Sequence, residues 1–384
     1  MIIDMPGGAY TLREPVTWPV VDAPASSRVV YAAAHVVADP LGDNTPGSPA
    51  AVDWDATLRF RRHLWSYGLR VADAMDTAQR NMGLDWAATK ELIRRSAAEA
   101  RSFGDPAALV ACGAGTDHAP DAADLRAITA AYTEQLETVQ AAGAGVIIMA
   151  SRQLARVASG PKDYHQVYGE LLGLAERPVI LHWLGEMFDP QLAGYWGSAD
   201  VAAATESFLE LIHAHPSKVD GVKVSLLDEE HEVGLRAALP AGVRLYTGDD
   251  FNYPSLIKSG SHALLGIFDA IAPAAAAALR ALDAAEQGTD PARNFALYDE
   301  ILAPTVPLSR KIFETPTYNY KTGIVFLAWL NGHQDAFAMV NGAQSARSLV
   351  HLSEVFRLAD QAGLLADQEL AVRKMKALLE VNGL

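Results

Sequence analysis

Eight short apolar runs, spaced along residues 28–269 and each followed by a polar loop and a helical pattern, constrain this chain more than any other feature. The runs cover about 28–36, 68–75, 107–113, 145–150, 177–183, 219–228, 243–248 and 263–269. Strands that read as unbroken apolar stretches are covered on both faces, and a helix between successive strands makes them parallel. Eight such units are what closes a (β/α)8 barrel, which is the expected α/β fold over residues 28–290. A doubly wound open sheet is the structural alternative. It would be a large single sheet, and Gly113-Ala114-Gly115 lacks the third glycine and the spacing of a dinucleotide-binding loop.

The flanks read differently. Residues 1–27 are punctuated by Pro6, Gly7, Gly8, Pro15, Pro19 and Pro24, which predicts an arm that is irregular or forms a short hairpin. Residues 291–384 predict a helical extension packed on the barrel, with helices over about 292–303, 321–338, 342–363 and 366–381 and a break at 314–320. Its periodic apolar positions Leu349, Leu352, Val355, Phe356 and Ala359 require a partner surface: the barrel wall, another subunit, or both.

Composition excludes several classes of function. A formal charge of −15 with no local basic stripe argues against nucleic acid as a partner. Cys112 is the only cysteine and sits in an apolar run, so neither an intramolecular disulfide nor a thiolate metal cluster can form. The first residues lack the pattern of a signal peptide, and the apolar stretches near 263–284 are interrupted by Asp269 and Pro273, so no membrane span is expected. A cytoplasmic protein is the expectation.

The sixth run carries the residue on which a chemical reading rests. Lys223 stands alone as a cation in Val219-Asp220-Gly221-Val222-Lys223-Val224-Ser225. A lysine in a buried strand must be paired or neutralised, and a neutral amine can attack a carbonyl. Pairing with an internal carboxylate, or an edge strand with its amine in water, would equally accommodate the residue. In a (β/α)8 barrel the active site lies at the C-terminal ends of the strands. The run boundaries place there His35, Asp76, Thr77, Thr116, Asp117, His118, Ser151, Arg152, His182, Glu186, Asp249, Asp250 and Asp269. His182 ends an apolar run and can shuttle a proton near neutral pH. Arg152 suits a carboxylate, a phosphate or a sugar hydroxyl.

Gly221-Val222-Lys223, Thr247-Gly248-Asp249-Asp250 and Pro178-Val179-Ile180-Leu181 together resemble motifs of the dihydrodipicolinate synthase and N-acetylneuraminate lyase superfamily of class I aldolases. Within it, the chain looks closest to the divergent branch called the DUF993 family. The resemblance implies that Lys223 is a Schiff-base lysine, that the barrel carries helices after its last strand, and that the protein is a homodimer or homotetramer. It also exposes departures. His182 stands where the family has a proton-relaying tyrosine, and the loop 74–80 lacks the hydroxyl-rich glycine motif that holds a substrate carboxylate. The arginine expected after the fifth strand is replaced by Gly185-Glu186-Met187. These departures argue against dihydrodipicolinate synthesis itself.

The expected activity is a Schiff-base lyase or aldolase, or a dehydratase, on a small hydroxylated keto acid or ketose. Lys223 and His182 are the expected catalytic pair, and Asp76, Thr77, His118, Arg152 and Asp249 the expected substrate-binding residues. Such chemistry needs no resident cofactor and no metal. Two alternatives stand beside it. One is a metal-assisted aldolase or isomerase drawing on His35, Asp76, His118, His182 and Glu186; the other is a non-catalytic metabolite-binding barrel.

Overall fold

The computed structural model describes residues 1–19 and 23–384, with the side chain of Asp76 outside that description. A short antiparallel hairpin, β1 (Ile2–Met5) and β2 (Gly8–Thr11), opens the chain. The barrel strands follow as β3 (Val30–Ala33), β4 (Arg70–Asp73), β5 (Val110–Ala114) and β6 (Gly145–Ile148). Then come β7 (Val179–Leu184), β8 (Val219–Ser225), β9 (Arg244–Thr247) and β10 (His262–Leu265). They close in the order β10-β3-β4-β5-β6-β7-β8-β9, so the eight apolar runs form a (β/α)8 barrel. The open-sheet alternative is ruled out by that closure.

Local chemistry sets where the helices start. Asp53, Asp85, Asp124 and Asp200 each accept a hydrogen bond from a first-turn amide, at the starts of Trp54–Ser66, Trp86–Ala100, Leu125–Ala142 and Val201–Ala214. The same chemistry corrects the third run. Residues 107–109 do not begin a strand, because Asp105 caps a turn of helix, Pro106–Leu109, with proline at its first position. The eighth run is corrected too. Its strand ends at Leu265 and a short helix, Ile267–Ala270, takes over, so Asp269 lies on that helix rather than on the strand.

By packing, the chain divides into two compact units, one of residues 1–27, 32–69 and 266–384, the other of 28–31 and 70–265. In the first, the hairpin is tied to the helix Leu349–Gln361 by a hydrogen bond of 2.7 Å from Tyr10 Oη to Asp360 Oδ2. The apolar positions Leu352, Val355, Phe356 and Ala359 are buried there. The expected helix over 321–338 is shorter, Tyr320–Leu330, because the amides of Asn331 and Gly332 close its last carbonyls. A helix that the sequence reading omitted, Thr305–Ile312, accommodates Pro307 in its first turn, where no helical amide is needed.

In the second unit, one side chain orients the strands. Thr247 Oγ1 donates a hydrogen bond of 2.9 Å to Glu232 Oε2 on the helix Glu229–Ala238. Thr247 therefore faces the outer helix layer, and Val224, its register partner, faces the same way. Side chains alternate along a strand, so Lys223 and Ser225 face the barrel interior. His182 and Tyr246, the register partners of Lys223 on the two neighbouring strands, face inward with them.

Candidate functional site

Three inward, buried residues on two adjacent strands come together in this unit. Lys223 is 5% exposed, His182 2% and Ser225 2%. His182 Nε2 lies 3.3 Å from Ser225 Oγ. His182 sits within β7, two residues before its end, where the apolar run placed it at the end itself. Ser225 was not among the expected site residues. Its signal was nonetheless available, because a position two residues beyond Lys223 must share its face.

Two glycines make room for this arrangement. A Cβ on Gly221 would come 2.6 Å from the ring of Tyr246, so the glycine of Gly-Val-Lys is the floor on which that ring lies. The Tyr246 hydroxyl in turn donates to Asp220 Oδ2 at 2.6 Å, and Tyr31 meets the ring edge-on with centroids 5.8 Å apart. On the other side, a Cβ on Gly248 would overlap Ser225 Oγ and stand 3.0 Å from Lys223 Cε. Gly248 is thereby the wall against which the lysine stem lies. Gly248→Ala is expected to displace Lys223 and Ser225 together, lowering stability by about 1–3 kcal/mol through overpacking. Activity should fall more than stability suggests, on the order of 10²-fold, because a 1 Å misplacement is enough. Thermal unfolding and turnover measured on one preparation check both.

Behind β9, Glu232 is 2% exposed and accepts from Thr247 Oγ1 at 2.9 Å and from Ser261 Oγ at 3.0 Å. Burial, reinforced by the nearby Asp249 carboxylate against the two hydrogen bonds, pushes its carboxyl up to about 8. Nothing in the sequence marked this residue, because Glu229-Glu230-His231-Glu232 reads as a solvated acidic face.

The remaining expected residues are engaged locally. Asp249 Oδ1 accepts from the amides of Phe251 and Asn252 at 2.8 and 2.9 Å, and Oδ2 from Asn252 Nδ2 at 2.8 Å, so its carboxylate shapes its own loop. His118 is held by Glu134 at 3.1 Å and by Gln135 at 2.8 Å, with its ring against Trp86. Arg152 Nε donates to Asp189 Oδ2 at 2.6 Å. Thr77 is buried in the turn Asp76–Ala78, and the Asp76 side chain lies outside the described residues. Thr116 Oγ1 lies 2.6 Å from both Ser151 Oγ and Gln153 Oε1. Glu186 is exposed. In the other unit, His35 Nδ1 meets both oxygens of Asp269, at 3.0 and 2.8 Å. Among the described residues, no group of three or more His, Cys, Asp or Glu side chains is arranged to hold a metal ion.

Arg80, which the sequence reading also passed over, explains the altered loop after β4. Its guanidinium donates to Ala74 O and Gly113 O at 3.0 Å each, to Gln135 Oε1 at 2.6 Å, and twice to Asp117. These five bonds use all five guanidinium donors. The loop is thus braced to the ends of β4 and β5 by a fully satisfied internal cation.

A family model described as a protein of unknown function, DUF993, matches residues 4–384. The chain belongs to the DUF993 family. No curated protein matches this DUF993 member. Solved structures that it resembles include the dihydrodipicolinate synthase of Aquifex aeolicus, at 11% identity and a TM-score of 0.64, covering 88% of this chain and 99% of that one. A putative dihydrodipicolinate synthetase from Pseudomonas aeruginosa matches at 16% identity and a TM-score of 0.64, covering 88% and 100%. A prophage protein of the dihydrodipicolinic acid synthase family from E. coli K12, in complex with pyruvate, matches at 14% identity and a TM-score of 0.65, again covering 88% and 100%. At these identities the likeness establishes the shared barrel fold. No helix among the described residues of the DUF993 chain is long and apolar enough to cross a membrane.

Proposed function

We propose that this DUF993 protein is a Schiff-base-forming lyase or aldolase, or a dehydratase, acting on a small hydroxylated keto acid or ketose. The observation that carries the reading is a buried lysine facing the barrel interior, in register with a histidine whose Nε2 lies 3.3 Å from the hydroxyl of Ser225. The similarity to dihydrodipicolinate synthase structures, one holding pyruvate, supports carbonyl chemistry at that lysine.

Lys223 Nζ adds to the substrate carbonyl carbon, and loss of water leaves an iminium. The iminium accepts the electron pair left on the α-carbon when its bond to the β-carbon breaks or its proton departs, giving an enamine. A leaving hydroxide at the next carbon would make the same sequence a dehydration. Reprotonation and hydrolysis return the free amine and the product. His182 takes up and returns the proton, with Ser225 passing it between the imidazole and the substrate, a role that tyrosine fills in the family pattern. Arg80 is spent inside its loop, so a substrate carboxylate would fall to Arg152.

The test is borohydride reduction in the presence of pyruvate, longer 2-oxo acids and ketoses, followed by intact-mass measurement. A mass increase equal to the reduced adduct is expected with at least one of them. No adduct with any of the panel would overturn the reading. His182→Phe should still trap the adduct but turn over about 10²–10⁴-fold more slowly, the usual contribution of a positioned acid–base group. Equal loss of trapping and turnover would assign His182 to binding instead.

A further inference from the structure

The unit that holds the C-terminal helices contains a cavity of about 270 Å³ whose described lining residues include none of those named around Lys223. Two histidines line it with their rings 4.2 Å apart at the centroids, His63 from the helix Trp54–Ser66 and His333 from the turn after Leu330. Neither imidazole is hydrogen-bonded to a described residue, although both are half-buried. Aromatic rings surround them. Phe60 lies 5.1 Å from His333 in an edge-on contact, and Tyr67 lies 5.2 Å from His63 in another. The indole of Trp18 also lines the space, its N–H already donated to Gly363 O at 2.8 Å.

We propose that this cavity binds a small neutral aromatic molecule carrying one hydroxyl or ring nitrogen, stacked against Phe60 and Tyr67 and hydrogen-bonded by His63 or His333.

The chemistry of the walls selects that class. An engineered apolar cavity of about 150 Å³ already admits benzene, so the volume suffices for one substituted ring. Leu327 and Leu364 give apolar cover, and aromatic neighbours favour edge-on or offset contacts with a further ring. Neither lysine nor arginine is among the described lining residues to pair with an anion. Burial keeps both imidazoles neutral, His333 pushed down to about 3 and His63 also lowered despite the Asp269 charge. Asp269, the one carboxylate among the described lining residues, is already taken by the amide and ring of His35. What remains for a ligand is two neutral groups, each able to donate or accept one hydrogen bond.

Phenol is the probe, toluene its apolar match, and zinc ion the rival ligand. The readout is the imidazole C–H spectrum of the full-length protein, in which two of eleven histidine signals belong to this cavity. Phenol is expected to shift both saturably, and toluene to bind about tenfold more weakly for want of the hydrogen bond. Of His63→Phe and His333→Phe, each of which keeps an aromatic ring and removes the nitrogens, at least one should weaken phenol to the level of toluene at an unchanged unfolding temperature. Absence of saturation with phenol, or equal binding of phenol and toluene, would overturn the proposal. So would zinc shifting both signals where phenol shifts neither. If the variants fail to fold, the comparison of the two probes on the unaltered protein still decides.

Discussion

Lys223→Met is expected to abolish both turnover and borohydride trapping while leaving the barrel folded. Methionine matches the lysine stem in length and fits the channel against Gly248, where the lysine Cε now lies. Replacing a buried amine by an unbranched apolar chain of similar volume keeps the stability change within about 1.5 kcal/mol. Removal of a covalent nucleophile costs far more, on the order of 10⁴–10⁶-fold in turnover. Lys223→Arg separates this account from an electrostatic one. Arginine keeps a positive charge but forms no imine, so it should be as inactive as methionine. Substantial turnover by the arginine variant would move Lys223 to a charge-stabilising role.

The second large effect concerns stability and its dependence on pH. Glu232 has a carboxyl pushed up to about 8 in the folded chain, against an ordinary value of 4.5. Its folded value is the higher one, so the folded state holds a proton that the unfolded state has released. The stability contributed by that proton is fully present below pH 4.5 and is lost at about 1.4 kcal/mol per pH unit as the pH rises towards 8, levelling beyond it. Glu232→Gln is neutral in both states and can accept from one of Thr247 and Ser261 while donating to the other. The variant should match the parent near pH 4 and exceed it by on the order of 4 kcal/mol at pH 8. Denaturant unfolding of both proteins across that range measures the difference. A constant gap at every pH would show that Glu232 does not titrate in this window.

The barrel was legible because each strand is an apolar run, and buried parallel strands admit few polar residues. Boundaries were lost where local capping competes with propensity. Ala107-Ala108-Leu109 reads as strand until Asp105 and Pro106 are seen as a helix start. The helix Thr305–Ile312 was given no place at all, although Pro307 in its first turn is harmless. At the site, Lys223 was conspicuous as one charge in a run of apolar residues. His182 was visible as a strand residue but placed slightly too far along. Ser225, Glu232 and Arg80 escaped because their roles depend on what they face across the fold. Strand alternation puts Ser225 on the face of Lys223, but only register shows that it meets His182, and only packing shows that Glu232 is buried or that Asp117 and Gln135 converge on Arg80. The pairing of His63 with His333, 270 positions apart, is likewise invisible to any local pattern.

Determining a crystal structure after soaking with the carbonyl compound that borohydride traps would examine the imine most directly. Continuous electron density from Lys223 Nζ to the former carbonyl carbon, with the substrate within reach of Ser225 and His182, is the predicted result. Density for an intact substrate bound elsewhere in the barrel, with the amine unmodified, would contradict it.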